Sequence, residues 1–375
     1  MLDKTTVRVL LIAAALCGAH VVLDSSPAWA QGADAPVTRA AAPADAQTTA
    51  IIDAANGFFA TLTNEQRPAV VFDFIDAKQR ARWSNLPEGI FKRTGLAWGA
   101  MSDAQRTALI GLLGAVLGPQ GVENVKKQMA ADDMLRVQES GPGNGGPGSG
   151  APGTRPPVGV KFGSDYYYVS FLGTPSTTSP WMLQFGGHHI GINATIVGPK
   201  VTLSPTLTGG QPVNFTRNHE AIHIAEEEVD QARALLDSLT DVQRKKAVVS
   251  SHFIDLVAGP GKDAMTVQPE GLRGVEMTDT QKARLLALID ARLKIIMNAE
   301  LRAAKMVEVR ANLDQTYFAW FGPTEPPAAA YWRVTGPTVL LEFSPQSLGG
   351  DPSNHLHNMY RDPTNDYGGA WTVLK

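Results

Sequence analysis

The chain has 375 residues, of which 43% are hydrophobic and 18% are charged, and its formal net charge is -3. This composition excludes a collagen-like repeat, a coiled coil and a long disordered tail. The nearly neutral charge balance argues against a nucleic-acid-binding protein, which usually carries a strongly basic face. The length is sufficient for one or two domains that each bury a core.

The N-terminus has the pattern of a secretory signal peptide. Lys4 and Arg8 precede an apolar run over residues 9–16, and Ala28-Trp29-Ala30 fits the small-x-small cleavage pattern. We therefore predict a signal peptide over residues 1–30 and a periplasmic or secreted location, without membrane association after cleavage. Cys17, the single cysteine, lies inside this segment. The mature protein would then have neither a disulfide nor a thiolate ligand.

Four segments carry the capping-box pattern, in which a hydroxyl residue is followed three positions later by glutamine. They begin at Thr63, Ser102, Thr240 and Thr278. In such a box the hydroxyl accepts a hydrogen bond from the backbone N–H three residues on, and the glutamine reaches back to the cap. Each box therefore predicts the start of a helix. The first and third boxes are 177 positions apart and the second and fourth are 176, so the chain looks duplicated.

Strand-like segments follow each helical block. The predicted strands are 166–173 and 181–197 after the first block, and 316–322 and 331–343 after the second. Helices followed by antiparallel strands indicate an α+β fold. We expect an internal duplication in which each copy is a helical block followed by an antiparallel hairpin. The two hairpins would share one sheet around a pseudo-two-fold axis.

These patterns divide the chain after the signal peptide into four parts. Residues 31–50 read as a flexible lead-in, and residues 51–210 as the first copy. The first copy contains a Gly/Pro-rich loop at 140–157, which cannot pack a core. The second copy covers 225–345. The C-terminal tail, 346–375, would pack on the sheet and carries two histidines.

The eight histidines are unevenly distributed along the chain. His188 and His189 are adjacent in a predicted strand, whereas His355 and His357 are two apart in the tail. Imidazole is the usual protein ligand for zinc, copper and iron. An His-x-His pair with one further histidine would make a three-histidine site with an open coordination position.

We therefore predict His189, His355 and His357 as ligands of one transition metal, zinc, copper or iron. Side chains alternate along a strand, so the pseudo-symmetry would place Asn193 and Glu342 on the face of His189. Glu342 would be a fourth ligand or a catalytic general base. Other polar residues would orient the ligands or bind the substrate, and Asn354 or Arg361 could bind an anionic group of it. The full set is His188, Asn193, Asn354, Arg361 and Asp362.

Three functions fit this sequence. The first is a metal-dependent enzyme, hydrolytic rather than redox, that acts on an unidentified small molecule. The second is a non-catalytic protein that binds a small ligand in a polar, aromatic pocket without a metal. The third is a zinc peptidase that uses His219, Glu220 and His223, which match the HExxH pattern. That chemistry requires both rings on one helix face, but the predicted helix begins near Ala225, after the motif.

Several motifs occur together in an order that resembles one known family. They are Phe171-Leu172-Gly173-Thr174-Pro175, Trp181, Gly187-His188-His189, Asn193, Gly336-Pro337, Glu342, Asn354-His355-Leu356-His357 and Arg361-Asp362. The chain resembles the exported bacterial family catalogued as domain of unknown function 3500, from about Ile51 to Trp371. The resemblance implies a single architecture with the paired and tail histidines as its signature. It implies no activity.

Overall fold

A large mixed sheet runs through the protein and positions the candidate site. The computed structural model describes residues 42–140, 159–325, 329–348 and 350–372. The predicted signal peptide, most of the predicted lead-in and nearly all of the Gly/Pro loop lie outside these residues.

Within the described residues the chain forms fifteen strands. In chain order they are β1 (Val71–Phe72), β2 (Leu96–Ala97), β3 (Tyr168–Leu172), β4 (Trp181–Gly187), β5 (Ile190–Val197), β6 (Lys200–Thr202), β7 (Thr206–Gly210), β8 (Asn214–Arg217), β9 (Glu220–His223), β10 (Val248–Ser250), β11 (Leu272–Arg273), β12 (Tyr317–Phe321), β13 (Tyr331–Gly336), β14 (Val339–Pro345) and β15 (Leu356–Arg361).

Thirteen of these strands belong to one sheet. Its main path is β1-β3-β4-β5-β7-β15-β14-β13-β12-β10, with β2 on β3, β6 on β5 and β11 on β12. The outermost pairs, β1 with β3 and β10 with β12, are parallel, whereas the other pairs are antiparallel. The predicted tail therefore does not pack on the sheet as a separate element, because its strand β15 lies between β7 and β14 near the centre. Strands β8 and β9 form a separate hairpin.

The described residues also form nine α-helices. They are α1 (Ala46–Ala60), α2 (Arg67–Val70), α3 (Ala77–Arg80), α4 (Asp103–Ser140), α5 (Glu226–Asp237), α6 (Asp241–Ala247), α7 (Asp279–Lys294), α8 (Ala299–Ala311) and α9 (Gly369–Thr372). The fold is therefore a mixed α+β fold, as the sequence predicts.

The four predicted capping boxes are all present, and three of them directly precede a helix. Thr240 and Thr278 cap α6 and α7, and Ser102 exchanges the same two hydrogen bonds with Gln105 at the start of α4. The box at Thr63 instead opens a turn that leads into α2.

Helix α4 is the longest helix among the described residues. It is broken at Gly118, whose φ of 76° is left-handed, just before Pro119. Over Asp103–Val137 it is long and apolar enough, by length and composition, to cross a membrane. However, 56% of its most apolar segment is buried inside the protein, as in the core helix of a folded domain.

The two faces of the sheet are covered differently. One face packs against helices, where Leu113 of α4 and Leu288 of α7 meet strand residues such as Phe171 and Ile192 in the main core. Truncating such a buried leucine to alanine costs about 2–5 kcal/mol. The other face is covered by loops, and a second cluster there joins Trp83 to Leu172, Met182, Leu207, Met359 and Tyr367.

Two predicted strands are each divided in two. The segment 181–197 forms β4 and β5, and His188-His189 is the turn between them, with His189 at a left-handed φ of 64°. The segment 331–343 forms β13 and most of β14, with a turn at Pro337-Thr338. The alternation that predicted the direction of His189 therefore does not extend through residues 188–189, because a turn interrupts the strand.

Candidate metal centre

The three histidines predicted as ligands meet at one end of the central strands. His189 lies in the β4–β5 turn, and His355 and His357 lie at the start of β15. His357 is paired with Ser344 of β14 and with Gly209 of β7. Gly209 is required there, since a Cβ at this position would lie 2.1 Å from the carbonyl oxygen of Leu356. The close approach of β7 to β15 holds this end of the site.

The rings of the three histidines are in mutual contact. The Nε2 atoms of His189 and His355 are 2.9 Å apart. The ring centres are 5.1 Å apart for His189 and His357, and 5.0 Å for His355 and His357. One ring nitrogen from each residue lies within 4.8 Å of the other two. The structure therefore brings together His189, His355 and His357, the three residues that the sequence predicts as metal ligands.

Burial keeps all three imidazoles neutral. They are between 1% and 8% exposed. Burial, followed by the charges of neighbouring histidines, lowers the pKa of His189 and of His357 well below the ordinary value. Burial lowers the pKa of His355 to about 4. Each ring therefore has a lone pair available at neutral pH, which is the form that binds a metal.

A backbone carbonyl fixes the tautomer of His355. Its Nδ1 contacts the carbonyl oxygen of Leu348, and since that oxygen can only accept, Nδ1 carries the proton. The Nε2 lone pair of His355 then points at Nε2 of His189. In the metal-free protein His189 must donate from Nε2, because two facing lone pairs would repel. A metal ion between the rings would instead accept both lone pairs.

Asn85, which the sequence did not single out, touches two of the three histidines. Its carbonyl oxygen accepts the backbone N–H of His189 at 3.1 Å. Its side-chain nitrogen lies 3.2 Å from each ring nitrogen of His357. Asn85 lies in an irregular loop, and no motif or periodicity marks it. Asn85 reaches the histidines because this loop packs over the sheet.

His188 lies beside the three-histidine group. Its Nδ1 is 2.7 Å from a carboxylate oxygen of Asp132 of α4, and both side chains are buried. Its ring lies against the ring of His189, with centres 3.7 Å apart and planes 30° apart. The hydroxyl of Tyr167 donates to its backbone carbonyl at 2.6 Å. His188 therefore limits how the ring of His189 can rotate.

Glu342 is not part of this group. The strand register places it on the face of His357, opposite Met359 and two positions from Ser344. Its oxygens accept the backbone N–H groups of Val257 and Ala258, at 2.7 and 2.8 Å, and the hydroxyl of Tyr331 at 2.7 Å. The carboxylate thus anchors a loop to the sheet, and this geometry does not support the predicted role of fourth ligand or general base.

Two predicted supporting asparagines also have other partners. Asn193 accepts from Gln184 and donates to the carbonyl of Pro205, both at 3.0 Å. Asn354 accepts the backbone N–H groups of Val213 and Asn214 at 2.8 and 2.9 Å. Both side chains hold backbone or strand neighbours in place.

Arg361 contacts the loops that cover the sheet, whereas Asp362 pairs with a lysine of helix α8. Arg361 donates to the carbonyl of Ala258 at 2.9 Å, is 3.1 Å from Asp263, and also contacts Asp366. Asp362 pairs with Lys305 at 2.7 Å. Within the described part of the chain, neither side chain hydrogen-bonds to any of the three histidines.

The HExxH segment does not form a zinc-peptidase site. His219 lies in the turn between β8 and β9, and His223 ends β9, so the two rings are not one helical turn apart. Both side chains are exposed, and Nδ1 of His223 contacts Asn214 at 2.8 Å. The zinc-peptidase interpretation is therefore wrong, because the motif requires a helix and the chain forms a hairpin.

Fold and site together define an α+β protein with a buried three-histidine cluster at one end of its central strands. The chain belongs to the family described as Protein of unknown function (DUF3500), which matches residues 44–369. The resemblance seen in the sequence is thereby confirmed. No curated protein and no solved structure matched the chain.

Proposed function

We propose that the protein binds one transition-metal ion through His189, His355 and His357, and that it is a metal-dependent hydrolytic enzyme. One observation carries this proposal. A ring nitrogen from each of three buried histidines lies within 4.8 Å of the other two, although the residues come from distant parts of the chain.

The spacing and type of the donors fit a metal ion. In a tetrahedral zinc site with bonds of about 2.0–2.1 Å, neighbouring ligand atoms are about 3.3 Å apart. The Nε2 atoms of His189 and His355, at 2.9 Å, need to separate only slightly to hold an ion. The donor set is entirely imidazole, which suits zinc, copper or iron.

The charge of such a site favours hydrolytic chemistry. Three neutral ligands would leave the double positive charge of the ion uncompensated. A water molecule at the open position would then lose a proton near neutral pH, with a pKa of about 7 in comparable zinc sites. A hydroxide supplied in this way would be a strong nucleophile, held beside three buried histidines.

A non-catalytic binding protein is the second candidate. It is favoured by the contacts that the histidines already make, since the side chain of Asn85 contacts the ring of His357 and the Leu348 carbonyl accepts from His355. In that case the polar end of the sheet would be a closed hydrogen-bond network, and a small ligand would bind beside it without a metal.

Elemental analysis distinguishes the two candidates. The mature protein, purified without a histidine tag, is compared with His355→Ala/His357→Ala and with the control His219→Ala/His223→Ala, whose histidines are exposed. About one zinc, copper or iron per chain in the wild type and the control, but not in the first variant, supports the metal site. Absence of metal in all three, even after incubation with zinc, overturns it in favour of the binding protein.

We also infer that the chain arose by duplication. The order of elements is alike at both ends of the sheet. Strand β3, which starts the meander β3-β4-β5, pairs with the short parallel β1 and the short antiparallel β2. Strand β12, which starts the meander β12-β13-β14, pairs in the same way with β10 and β11. The starts of β3 and β12 are 149 positions apart, as are the starts of β5 and β14. Superposition of an experimental structure on itself tests this, and a failure of the two meanders to overlap would contradict it.

We further infer export to the periplasm or the exterior, which the pattern of residues 1–30 supports. N-terminal sequencing of the mature protein is the test. A first residue of Gln31 is expected, and a chain that retains its first thirty residues would contradict cleavage.

A further inference from the structure

Arg93 is a buried cation next to the proposed metal centre. It is 8% exposed, and its Nη2 lies 2.6–2.7 Å from the carbonyl oxygens of Ser84, Leu86 and Gly187. The first two carbonyls flank Asn85, and the third precedes the His188-His189 turn. The guanidinium therefore lies where the covering loop meets the turn that carries His189.

The charge of Arg93 has no direct counter-charge. No carboxylate oxygen of the described residues lies within 4 Å of it, and its Nη1 is buried without a hydrogen-bond partner among them. Three other buried arginines pair with carboxylates: Arg292 with Glu228, Arg333 with Glu270, and Arg361 with Asp263 and Asp366. An unpaired buried charge costs several kcal/mol unless a partner compensates it.

Two carboxylates act on Arg93 from a greater distance. Burial lowers the pKa of Arg93, whereas Tyr167 and then the carboxylates of Glu88 and Asp132 favour its charged form. Asp132 is already bonded to His188 and to the backbone N–H of Gly163. One oxygen of Glu88 is buried without a partner among the described residues, so an ordered water could also lie between Glu88 and Arg93.

A small cavity adjoins this guanidinium. Its volume is about 20 Å³, and its lining includes Arg93, Trp83, Ser84, Gly186 and Ile190. The last four residues belong to the loop that carries Asn85 and to the strands on either side of the His188-His189 turn, so the cavity lies beside the histidine cluster, and none of the three histidines lines it. The space is enough for one water-sized group, such as an oxygen atom of a bound molecule.

We propose that Arg93 is an anion-binding residue beside the histidine site, and that the molecule bound there carries a carboxylate or a similarly small oxyanion. This inference rests on the proposed metal centre. Three neutral ligands would leave a divalent ion with its full charge, and Arg93 adds a further positive charge nearby. An anion would satisfy Nη1 and neutralise part of this charge, whereas a neutral ligand of equal shape would do neither.

The test uses mature protein loaded with Co²⁺, whose visible spectrum reports its coordination. Acetate is compared with acetamide, which has nearly the same shape but no charge. We expect acetate, and not acetamide, to change the cobalt spectrum. In Arg93→Met the dissociation constant of acetate should rise about 10- to 100-fold, the equivalent of one lost charge-assisted hydrogen bond. The control Lys92→Met, which removes an exposed charge one residue away, should change it less than about twofold.

The failures of the two proposals are distinguishable. If the wild type binds cobalt but Arg93→Met binds acetate equally well, the role of Arg93 is overturned and the metal centre stands. If the wild type takes up no cobalt, the metal centre fails. Arg93 is then tested by the thermal unfolding of the metal-free protein, where an acetate-specific rise that Arg93→Met abolishes supports its role and no rise overturns it.

Arg93→Met also removes contacts to three carbonyls, so the variant could fail to fold. Arg93→Lys keeps the charge and should bind acetate with intermediate affinity. A crystal structure of the wild type grown with acetate needs no variant. A carboxylate within hydrogen-bond distance of Nη1 supports the proposal, and a water linking Nη1 to Glu88 overturns it.

Discussion

The Nε2 atoms of His189 and His355 lie 2.9 Å apart, although the two residues are separated by 166 positions in the chain. With the proton of His355 held on Nδ1 by the Leu348 carbonyl, the contact is stable only if His189 donates or if a metal ion lies between the rings. This relationship makes His189 the most informative residue to change.

His189→Ala should lower zinc affinity by more than about 100-fold, because loss of even a supporting contact typically costs 10- to 100-fold. Competition with a chromogenic chelator measures the affinity. His252→Ala is the control, since His252 is exposed and lies in another loop. Equal zinc affinity in wild type and His189→Ala would remove His189 from the site.

Asn85→Ala should weaken zinc binding by about tenfold while leaving one ion bound per chain. The amide contacts the ring of His357 and limits its orientation, but contributes no ligand in this arrangement. Calorimetric titration gives both affinity and stoichiometry. Asn214→Ala is the matched control on the exposed β8–β9 hairpin, and an effect of equal size there would show that Asn85 has no special role.

The metal-free protein should lose stability as the pH falls from about 7 to 5. An unfolded histidine has a pKa near 6.5, whereas burial lowers that of His355 to about 4. Below pH 6.5 the unfolded chain therefore binds a proton that the folded protein does not, and stability decreases with falling pH. At pH 5 the loss from His355 alone is about 2 kcal/mol.

Urea unfolding at pH 7.5 and pH 5, in the presence of a chelator, measures this loss. His355→Ala/His357→Ala should show a smaller decrease between the two pH values, because two of the buried imidazoles are gone. An equal decrease in wild type and variant would assign the pH dependence to other groups.

Glu342→Gln should reduce the free energy of unfolding by about 1–3 kcal/mol without changing the metal content. The carboxylate holds the backbone N–H groups of Val257 and Ala258, and the amide can keep only one acceptor oxygen for them. Elemental analysis beside chemical denaturation separates the two effects. Loss of metal from a folded variant would restore Glu342 as a ligand.

Gly209→Ala should lower both stability and zinc affinity. Its Cβ would lie 2.1 Å from the carbonyl oxygen of Leu356, so β15 would have to move next to His357. Gly57→Ala is the control, since its Cβ would meet nothing within 4 Å in helix α1 and should stabilise the protein by about 0.5–1 kcal/mol. A Gly209→Ala variant that binds zinc like the wild type would show that the position of β15 does not control the site.

The sequence predicts what depends on local pattern. The capping boxes at Ser102, Thr240 and Thr278 mark three helix starts because a box is complete within four residues. His355 and His357 are recognisable for a similar reason, because two side chains two positions apart in an extended segment project to the same side. These local patterns suffice for the fold class and for the His355–His357 pair, whereas His189 lies in a turn that the strand alternation did not predict.

Contacts between distant segments were beyond such patterns. Asn85 reaches His357 only because its loop folds over the sheet, and nothing in its own neighbourhood requires that. Glu342 lies on the face of His357, but its partners at 257–258 come from a loop without a recognisable motif. The turn at His188-His189 was missed because the apolar residues on both sides read as one continuous strand.

The position of β15 links the histidine site to the junction between the two halves of the sheet. This strand joins β7 to β14, and it is formed by residues 356–361 of a chain of 375. Among the residues that the structure describes, the two halves of the sheet meet only through this strand, which carries His357 and directly follows His355. A change that displaces β15 should therefore disturb the junction between the two half-sheets and the histidine cluster together.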